Sequence, residues 1–496
     1  MSKSKPAKDN HDLSATGIVR LADVFLVKLF HTSAREPFAS IYAKDHWENW
    51  PIRSPEFGDW LSANCFHHLG RAPSQKALAD ARATLSGRAR YGSPEQQVHV
   101  RVAGYKGDIY LDLGNEHWET VRITEEGWDV VSHVPIKFIR GPGMLPLPRP
   151  LDGGKIADLQ PFLNLGGDDH WKLAVSWLVG ALRPAGPFPP LVLEGTHGSA
   201  KSTSSRILRS LIDPNTAPLR AMPNNPRDLA ISAANSWSLG FDNISSIRPW
   251  LSDALCRLST GSGFSTRALY TDSGEKIFDG MRPILLNGIE MDIERADLLD
   301  RGIFLSLLPI SDEGRETEAT VWTRFELVRP YILGSLLDAV SCALRRVREI
   351  KLKRPPRMAD FATWICAAEP SLGWPEGSFL RAYQRNRSEA NSLALEGSPL
   401  VGPIMRIADQ GRWEGTATEL RNVLLEELLN SPPEDQGSCP RSPKELSQAI
   451  RRLAPNLGPV GVTIRFGRTA GDNSARIISI RRCSDDATQP QEPVRA

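Results

Sequence analysis

The spacing of apolar residues changes along the first third of the chain. Residues 17–89 carry apolar side chains at mostly helical spacing, which predicts helices near 57–69 and 74–85, the latter capped by Ser74. Over residues 91–134 the period falls to two, and turn residues separate the alternating runs. This second pattern predicts a small antiparallel sheet.

A segment rich in Pro and Gly follows at residues 141–154, and beyond it the pattern changes again. Short apolar strands alternate with helices to about residue 350, which favours a parallel α/β sheet. Residues 397–483 then predict three helices followed by a β-hairpin, which is the order of elements in a winged helix.

Composition narrows the class of protein only slightly. The 496 residues are 41% hydrophobic and 24% charged, with a formal net charge of +2, so a nucleic-acid surface would need local clusters of basic residues. The six cysteines lack C-x-x-C spacing, which disfavours a zinc site or a disulfide scaffold. The N-terminus has no apolar core, and the longest apolar stretch, 171–182, is too short to span a bilayer. We therefore expect a cytoplasmic protein with no membrane association.

A phosphate-binding loop is predicted where an apolar strand at residues 190–194 runs into a glycine-bearing turn and then a helix. Lys201 would reach the β and γ phosphates, and the Ser202 hydroxyl would hold magnesium. Ala200 stands where the G-x-x-x-x-G-K-[ST] pattern has glycine, and we expect its methyl group to be tolerated at the helical start of the turn. The residues expected to hold the nucleotide are Gly195, Thr196, His197, Gly198, Ser199, Ala200, Lys201, Ser202 and Thr203.

Asp242 follows a second apolar strand, where an acid can hold the water shell of magnesium together with Ser202. The next residue is Asn243, whose amide can position a water molecule but cannot act as its base. Glu194, directly before the loop, is a candidate base; the alternative is a surface acid at the end of a strand.

Two further residues complete the predicted catalytic set of Lys201, Asp242, Asn243, Asn287 and Arg301. Asn287 ends a third apolar strand and suits a sensor of the γ-phosphate; the alternative is a turn residue. Arg301 is placed to reach the nucleotide of a neighbouring subunit. Its alternative is a surface ion pair with Asp297 or Asp300, and Arg295 is the alternative finger.

Two basic regions are candidates for contact with DNA. A hairpin at residues 264–278 carries Arg267 and Lys276, which could touch phosphates in the channel of a ring; the alternative is a solvated hairpin. Residues 441–482 contain nine Lys/Arg against two acids, a net charge of +7, which indicates phosphate contact; the alternative is a protein-docking module. The C-terminal candidates are Lys444, Arg451, Arg452, Arg465, Arg468 and Arg476.

Together these motifs resemble superfamily 3 helicases and the poxvirus-type primase-helicases of phages, plasmids and integrated mobile elements. The resemblance is carried by residues 198–202, 242–245, 255–263, 285–289 and 356–361. It implies an AAA+-like core that uses ATP and Mg²⁺, a homo-oligomeric ring (a hexamer) and movement along single-stranded or forked DNA.

The N-terminal part, at residues 31–50 and 52–61, resembles the segment that follows a primase domain in such elements, as either a vestige or an accessory platform. A separate primase is an expected partner. A primase site needs clustered carboxylates, and only Asp108 and Asp112 are available here. These two residues alternate along a strand, and we expect both at the surface.

The predicted fold class is α/β, with a P-loop NTPase (AAA+-like) core, an N-terminal α+β accessory region and a C-terminal winged helix. The predicted segments are a disordered tail (1–15), the accessory region (16–140), a Pro/Gly linker (141–160), the ATPase core (161–395), the winged-helix DNA-binding module (396–484) and a second disordered tail (485–496).

The predicted function is that of a DNA-dependent ATPase acting as a ring helicase in the replication of a mobile element. The alternative is a non-translocating, ATP-dependent switch or loader that assembles on DNA. A small-molecule kinase is disfavoured because it needs neither a sensor asparagine nor a winged helix. A GTPase is disfavoured because the guanine-reading N-K-x-D motif does not occur.

Overall fold

The computed structural model describes residues 13–261, 264–267, 275–278, 280–289, 296–396, 398–429, 439–469 and 475–482. The predicted tail at 485–496 lies outside these ranges, and so does the tail at 1–15 except for its last three residues. The first helix begins there, at Ala15, because the Ser14 hydroxyl accepts a hydrogen bond from the N–H of Gly17.

The N-terminal region combines three helices with a three-stranded antiparallel sheet. Its elements are α1 (Ala15–Val24), β1 (Lys28–His31), β2 (Pro37–Ala43), β3 (His46–Pro51), α2 (Pro55–Leu69) and α3 (Gln75–Gly92), with sheet order β1-β2-β3. Helices α2 and α3 confirm the prediction, including the cap at Ser74. The mostly helical reading was wrong for residues 28–51. The first five residues of β2 are all buried, so this strand lacks the alternation that reveals a half-buried strand.

A second group of strands follows, as the change of period predicted. They are β4 (Val98–His99), β5 (Val102–Tyr105), β6 (Asp108–Asp112), β7 (Thr120–Ile123), β8 (Trp128–Val131) and β9 (Lys137–Phe138). Strands β5 to β8 form an antiparallel meander, and β4 pairs in parallel with β9. The expectation that Asp112 lies at the surface was wrong: it is 1% exposed and pairs with Arg140 at 2.8 Å. Asp108 is only partly exposed and pairs with Arg122.

The central part of the chain alternates strands and helices, and its main sheet is parallel, as predicted. Its elements are α4 (Asp168–Ala181), β10 (Leu191–Glu194), α5 (Lys201–Ser210), α6 (Pro226–Asn235), β11 (Leu239–Phe241), α7 (Pro249–Thr260), β12 (Phe264–Arg267), β13 (Glu275–Phe278), β14 (Ile284–Gly288), α8 (Ala296–Arg301), β15 (Ile303–Ser306), α9 (Glu318–Arg346), α10 (Ala359–Ala368) and α11 (Ser378–Glu396). The order in the sheet is β11-β14-β10-β15. Strands β12 and β13 form the predicted hairpin.

Helix α9 is the one helix in the described ranges that is long and apolar enough to cross a membrane. Its most apolar window is 67% buried inside the protein, however, and Ile332, Leu336 and Val340 belong to the main hydrophobic cluster. Packing against α4, α10 and the meander therefore accounts for its apolar sequence.

The C-terminal part has a hydrophobic cluster of its own. Its elements are α12 (Val401–Asp409), β16 (Trp413–Thr416), α13 (Ala417–Leu429), α14 (Pro443–Leu457), β17 (Val462–Arg468) and β18 (Arg476–Arg482), with antiparallel sheet order β16-β18-β17. Ser442 caps α14 by accepting the N–H of Glu445, as its position before Pro443 predicted. Helix α14 packs against α8 and α11 of the central part.

One buried ion pair joins the meander to the central sheet. Arg101 is fully buried, and its Nε donates to the Asp213 carboxylate at 3.0 Å; Asp213 is 2% exposed. Other guanidinium N–H groups of Arg101 donate to the carbonyl oxygens of Asp112 and Leu145. A buried arginine with this many partners cannot lose its carboxylate without leaving an uncompensated charge.

Replacement of Arg101 by methionine should therefore lower the free energy of unfolding by about 3 kcal/mol or more, because Asp213 would stay buried without its closest cation. Urea denaturation followed by tryptophan fluorescence measures this loss. The matched control is Arg88→Met, which breaks an exposed pair with Asp23 and should cost less than about 1 kcal/mol. Equal losses of unfolding free energy in the two variants would contradict a special contribution of the buried Arg101–Asp213 pair to stability.

Candidate nucleotide-binding site

The predicted phosphate loop lies between β10, an inner strand of the sheet, and the start of α5. Gly198 and Ala200 both have left-handed backbone, with φ of 76° and 60°. The expectation that Ala200 would take the helical start of the turn was wrong, because its ψ of 30° completes a left-handed conformation. An L-residue pays roughly 1–2 kcal/mol for this conformation, whereas glycine does not. The loop therefore keeps the backbone of a glycine-bearing turn in spite of the alanine.

Close packing fixes the first glycine of the loop. A Cβ on Gly195 would lie 2.6 Å from the Ser199 Oγ and 3.0 Å from the carbonyl oxygen of Leu307. The Ser199 hydroxyl donates to the carbonyl oxygen of Thr196 and holds the turn closed. Thr196 and His197 are exposed at the tip of the loop, and Thr203 is half-buried in the first turn of α5.

Lys201 lies in the mouth of the loop. Its ammonium group donates to the carbonyl oxygens of Gly195 and Thr196, each at 2.7 Å. Burial lowers the pKa of Lys201, and the nearby Asp242 carboxylate opposes that shift. Phosphate oxygens would be stronger acceptors than these carbonyl groups, so the lysine is positioned to exchange them for a nucleotide.

The two residues predicted to hold magnesium are in contact. The Ser202 hydroxyl donates to the Asp242 carboxylate at 3.2 Å, although the residues lie on different elements, α5 and the end of β11. The same carboxylate oxygen accepts the N–H of Asn243 at 2.8 Å. A hydroxyl and a carboxylate at this separation form the kind of oxygen donor set that Mg²⁺ prefers.

Asn287 lies inside β14, between β10 and β11, and is 1% exposed. Its side-chain oxygen accepts the N–H of Asn243 at 3.1 Å, and its side-chain nitrogen donates to Ser205 of α5 at 3.0 Å. Its own carbonyl oxygen accepts the N–H of Ile244. The amide thus joins α5 to the segment after β11, and these two segments carry Ser202 and Asp242.

Arg301 ends α8 and is held within its own chain. Its side chain is 15% exposed and pairs with Asp297, as the alternative reading proposed. Arg357 bridges Asp297 and Asp300 at 2.8 and 2.6 Å, which places a second guanidinium group at the same acidic pair. Arg295 lies outside the described residues.

Sequence reasoning missed Arg315, which follows β15 and belongs to no motif. Its guanidinium group lies over the phosphate loop, since a Cβ added to Gly198 would be 3.4 Å from its Nη2. The residue is exposed and lies on the same chain as the loop. Only the folding of the segment after β15 brings it there, so no local signal could have found it. Glu194, the candidate base, ends β10 directly beside the loop, opposite Gly288 and Ser306.

A cavity of about 450 Å³ lies between the start of α4 and α11, both of which pack against β15. The N-terminus of α4 forms one wall, with Gly167 and His170, and α11 forms the other, with Arg385 and Asn386. The Ser306 backbone of β15 makes a hydrogen bond with Nδ1 of His170, and Ser306 is the register partner of Glu194. The cavity is therefore one strand away from the loop and large enough for a nucleoside.

The candidate DNA contacts fall in two places. In the β12–β13 hairpin, Arg267 is the register partner of Glu275, and Lys276 is the partner of Thr266. In the C-terminal part, all six candidates are exposed: Lys444, Arg451 and Arg452 on α14, and Arg465, Arg468 and Arg476 on β17 and β18.

The basic residues of the C-terminal hairpin face one another. Arg468 is directly opposite Arg476 in the antiparallel pair. The Arg451 guanidinium lies 4.0 Å from the centre of the Phe466 ring, which joins α14 to this hairpin. Because like charges directly opposite each other destabilise a sheet, an anion bound here would relieve the repulsion.

Comparison with known proteins identifies two regions of this chain. Residues 156–383 match the family model for the actinomycete integrative conjugative element replication protein, and residues 401–491 match the model for the C-terminal domain of that protein. The second region follows the first along the chain, and both descriptions name a replication protein of a mobile element. No curated protein sequence matches the chain.

Among solved structures, the apo C-terminal region of NrS-1 (305–718) is similar, with a TM-score of 0.41 and 10% identity over 94% of this chain and 99% of that one. The SCCmec type IV Cch active helicase has a TM-score of 0.41 and 12% identity over 91% and 92% of the two chains. Similarity at this level does not establish function.

The left-handed alanine of the loop gives a test of its geometry. Ala200→Gly should raise the free energy of unfolding by about 1 kcal/mol and tighten ATP binding, because glycine adopts this backbone without strain. Thermal unfolding and nucleotide titration measure both effects. In the control Ala63→Gly, at an exposed position inside α2, the same substitution should destabilise by about 1 kcal/mol. A stability loss in both variants would show that Ala200 is not strained.

Proposed function

We propose that this protein is a DNA-dependent ATPase that acts as a ring-shaped replicative helicase of a mobile element. The contact between Ser202 and Asp242, with Lys201 in the mouth of the same loop, carries the proposal. The match to the replication-protein models supports the biological setting.

In this proposal, the backbone N–H groups of residues 195–201 and the Lys201 ammonium group bind the phosphates of ATP. Ser202 and Asp242 would hold Mg²⁺, which neutralises charge on the transferred phosphoryl group. The base of the nucleotide would enter the cavity between α4 and α11. Asn287 fixes the backbone of Asn243, and the Asn243 amide would orient the attacking water. Glu194 is the acid nearest to the loop in sequence and remains the candidate base.

Arginines from two sources would complete the site. Arg315 reaches the loop from its own chain. Arg301 would have to leave Asp297 in order to contact the nucleotide of a neighbouring subunit. Asp297 would still have a cationic partner, because Arg357 is paired with it as well. This exchange would couple ring assembly to hydrolysis.

Contact with DNA would come from the hairpin, through Arg267 and Lys276, and from the C-terminal module. We assign that module as a winged helix, because three helices and a three-stranded sheet occur in the required order. Helix α14 would enter a groove, and the hairpin with Arg468 and Arg476 would contact phosphates as the wing.

A second candidate function is a non-translocating switch that assembles on DNA. The amide of Asn243 in place of a carboxylate favours it, because slow hydrolysis suits a switch better than a motor. Both proposals require ATP binding, so only a measurement of strand separation distinguishes them.

The motor proposal predicts that single-stranded DNA stimulates ATP hydrolysis and that wild type separates a forked duplex. Lys201→Ala should abolish both activities, because it removes the cation that binds the β and γ phosphates. The control Lys76→Ala removes an exposed lysine on α3 and should leave both unchanged. If wild type hydrolyses ATP but never separates strands, the helicase is excluded and the switch remains.

The two arginines should differ in mixed rings. Arg315→Ala should lower kcat about 100-fold, and activity in mixtures with wild type should follow the wild-type fraction, because the residue acts in its own chain. Arg301→Ala should lower kcat by about 1,000-fold or more, but mixing it with the inactive Lys201→Ala should restore part of the activity, because the intact phosphate loop of one variant then meets the intact arginine of the other. The same mixture made with Arg315→Ala should show no such gain, and a mixture of Arg301→Ala with Lys201→Ala that stays inactive would contradict the finger in trans.

A further inference from the structure

We infer that a cleft between the two N-terminal sheets binds one unpaired nucleotide of a nucleic-acid strand, with its base against Trp47 and Trp118 and its phosphate at Lys28 and Lys137. This site lies outside the nucleotide-binding site and does not depend on ATP hydrolysis. It would give the N-terminal region a direct role in holding single-stranded DNA.

The cleft has the size of one nucleotide base. Its volume is about 200 Å³, and it opens between β3 on one side and β6, β7 and β9 on the other. Trp47 and Trp118 line it together with Lys28 and Lys137. A double helix could not enter a space of this volume, whereas a base turned out of a single strand could.

Trp118 is held in an unusual backbone conformation. Its φ is 52°, in the left-handed region that a bulky side chain rarely adopts. A turn fixes it there: the N–H groups of Trp118 and Glu119 donate to the backbone and side-chain oxygens of Asn115, at 3.2 and 3.1 Å. The Arg140 guanidinium lies 3.9 Å from the ring centre and supports the indole. Strain of this kind persists where the surroundings hold a side chain in place for a task.

The cleft is positively charged. The Lys28 ammonium lies 4.2 Å from the centre of the Trp47 ring, and the Lys137 ammonium donates to the Ser40 hydroxyl at 2.9 Å. Within the described ranges, no carboxylate forms an ion pair with either lysine. Asp112 is the one acid among the described lining residues, and Arg140 neutralises it.

Two lysines without acidic partners repel each other at this site. Burial and the charge of Lys28 lower the pKa of Lys137. A phosphate bound between the two lysines would relieve this repulsion. Hydrogen bonds from the two ammonium groups would replace the hydrogen bonds that the phosphate loses to water. Lys28 is exposed and can leave the Trp47 ring, so a base could take its place there.

Among the residues that the structure describes, the one amide side chain that lines the cleft is already engaged. Asn49 donates to the carbonyl oxygen of Phe138 and accepts from the Ser40 hydroxyl. Stacking and charge, on which the proposed binding rests, tolerate any base. Trp47 also lines an adjoining apolar cleft of about 420 Å³, together with Tyr42 and Trp60. A strand could continue past the first base into this second cleft.

The test measures binding of a fluorescein-labelled octathymidylate to the full-length protein by anisotropy, without ATP. Trp47→Ala, Trp118→Ala and Lys28→Ala should each weaken binding by at least about fivefold, since stacking and phosphate contact both contribute. The matched controls are Tyr91→Ala, whose ring is 89% exposed on α3, and Lys76→Ala; neither should change affinity. Repeating the series in the Lys201→Ala background shows whether binding at this cleft is independent of the proposed ATPase site.

Photo-crosslinking gives a second readout that a folding defect cannot mimic. An oligonucleotide carrying 5-iododeoxyuridine should crosslink to peptides containing Trp47 or Trp118 in wild type. Thymidine 5′-monophosphate should compete only if the cleft also binds a free nucleotide. Competition would support the proposed contacts to base and phosphate and would add free nucleotides to the ligands of the cleft. Equal affinity in all variants, with no crosslink to either tryptophan, would overturn the proposal.

Discussion

The buried carboxylate of Asp213 fixes the geometry on which the site depends. One oxygen accepts from Arg101 of the meander, and the other accepts the N–H groups of Trp237 and Ser238 at the start of β11. Strand β11 ends at Phe241 and delivers Asp242 to Ser202. The carboxylate also balances other cations, because burial lowers the pKa of Arg209 to about 10 and Asp213 opposes that shift. The meander and the strand that precedes Asp242, a predicted magnesium ligand, are therefore both held by this carboxylate.

The meander is consequently part of the same body as the candidate nucleotide-binding site. Side chains of the meander, including Ile109, Leu111 and Val121, share one hydrophobic cluster with β10 and α9. At the other end, α14 packs against α8 and α11, and α8 carries Arg301.

Local signals in the sequence predicted much of the fold and most of the site's placement. Ser74 and Ser442 cap helices as expected, and the strand–loop–helix pattern placed Lys201, Ser202 and Asp242 close together. The strands at residues 28–51 were missed because burial on both faces of β2 removed the alternation.

Contacts between residues that are distant in sequence could not be predicted from local sequence patterns. Arg101 and Asp213 lie 112 positions apart, and the contact of Arg315 with the loop depends on where the chain turns after β15. The left-handed backbone of Ala200 was also missed, because the sequence gives the residue and not its conformation. The catalytic roles of Asn243, Asn287 and Arg301 remain predictions.

If Ser202 and Asp242 hold Mg²⁺ beside the phosphates of ATP, the loss of one ligand should remove the contribution of the ion to ATP binding. Calorimetric titration of ATP into wild type and Asp242→Asn, each with and without Mg²⁺, measures this contribution. Mg²⁺ should tighten ATP binding to wild type by at least about tenfold, and Asp242→Asn should lose this gain while keeping its Mg²⁺-independent affinity. An equal effect of Mg²⁺ on both proteins would show that Asp242 does not hold the ion.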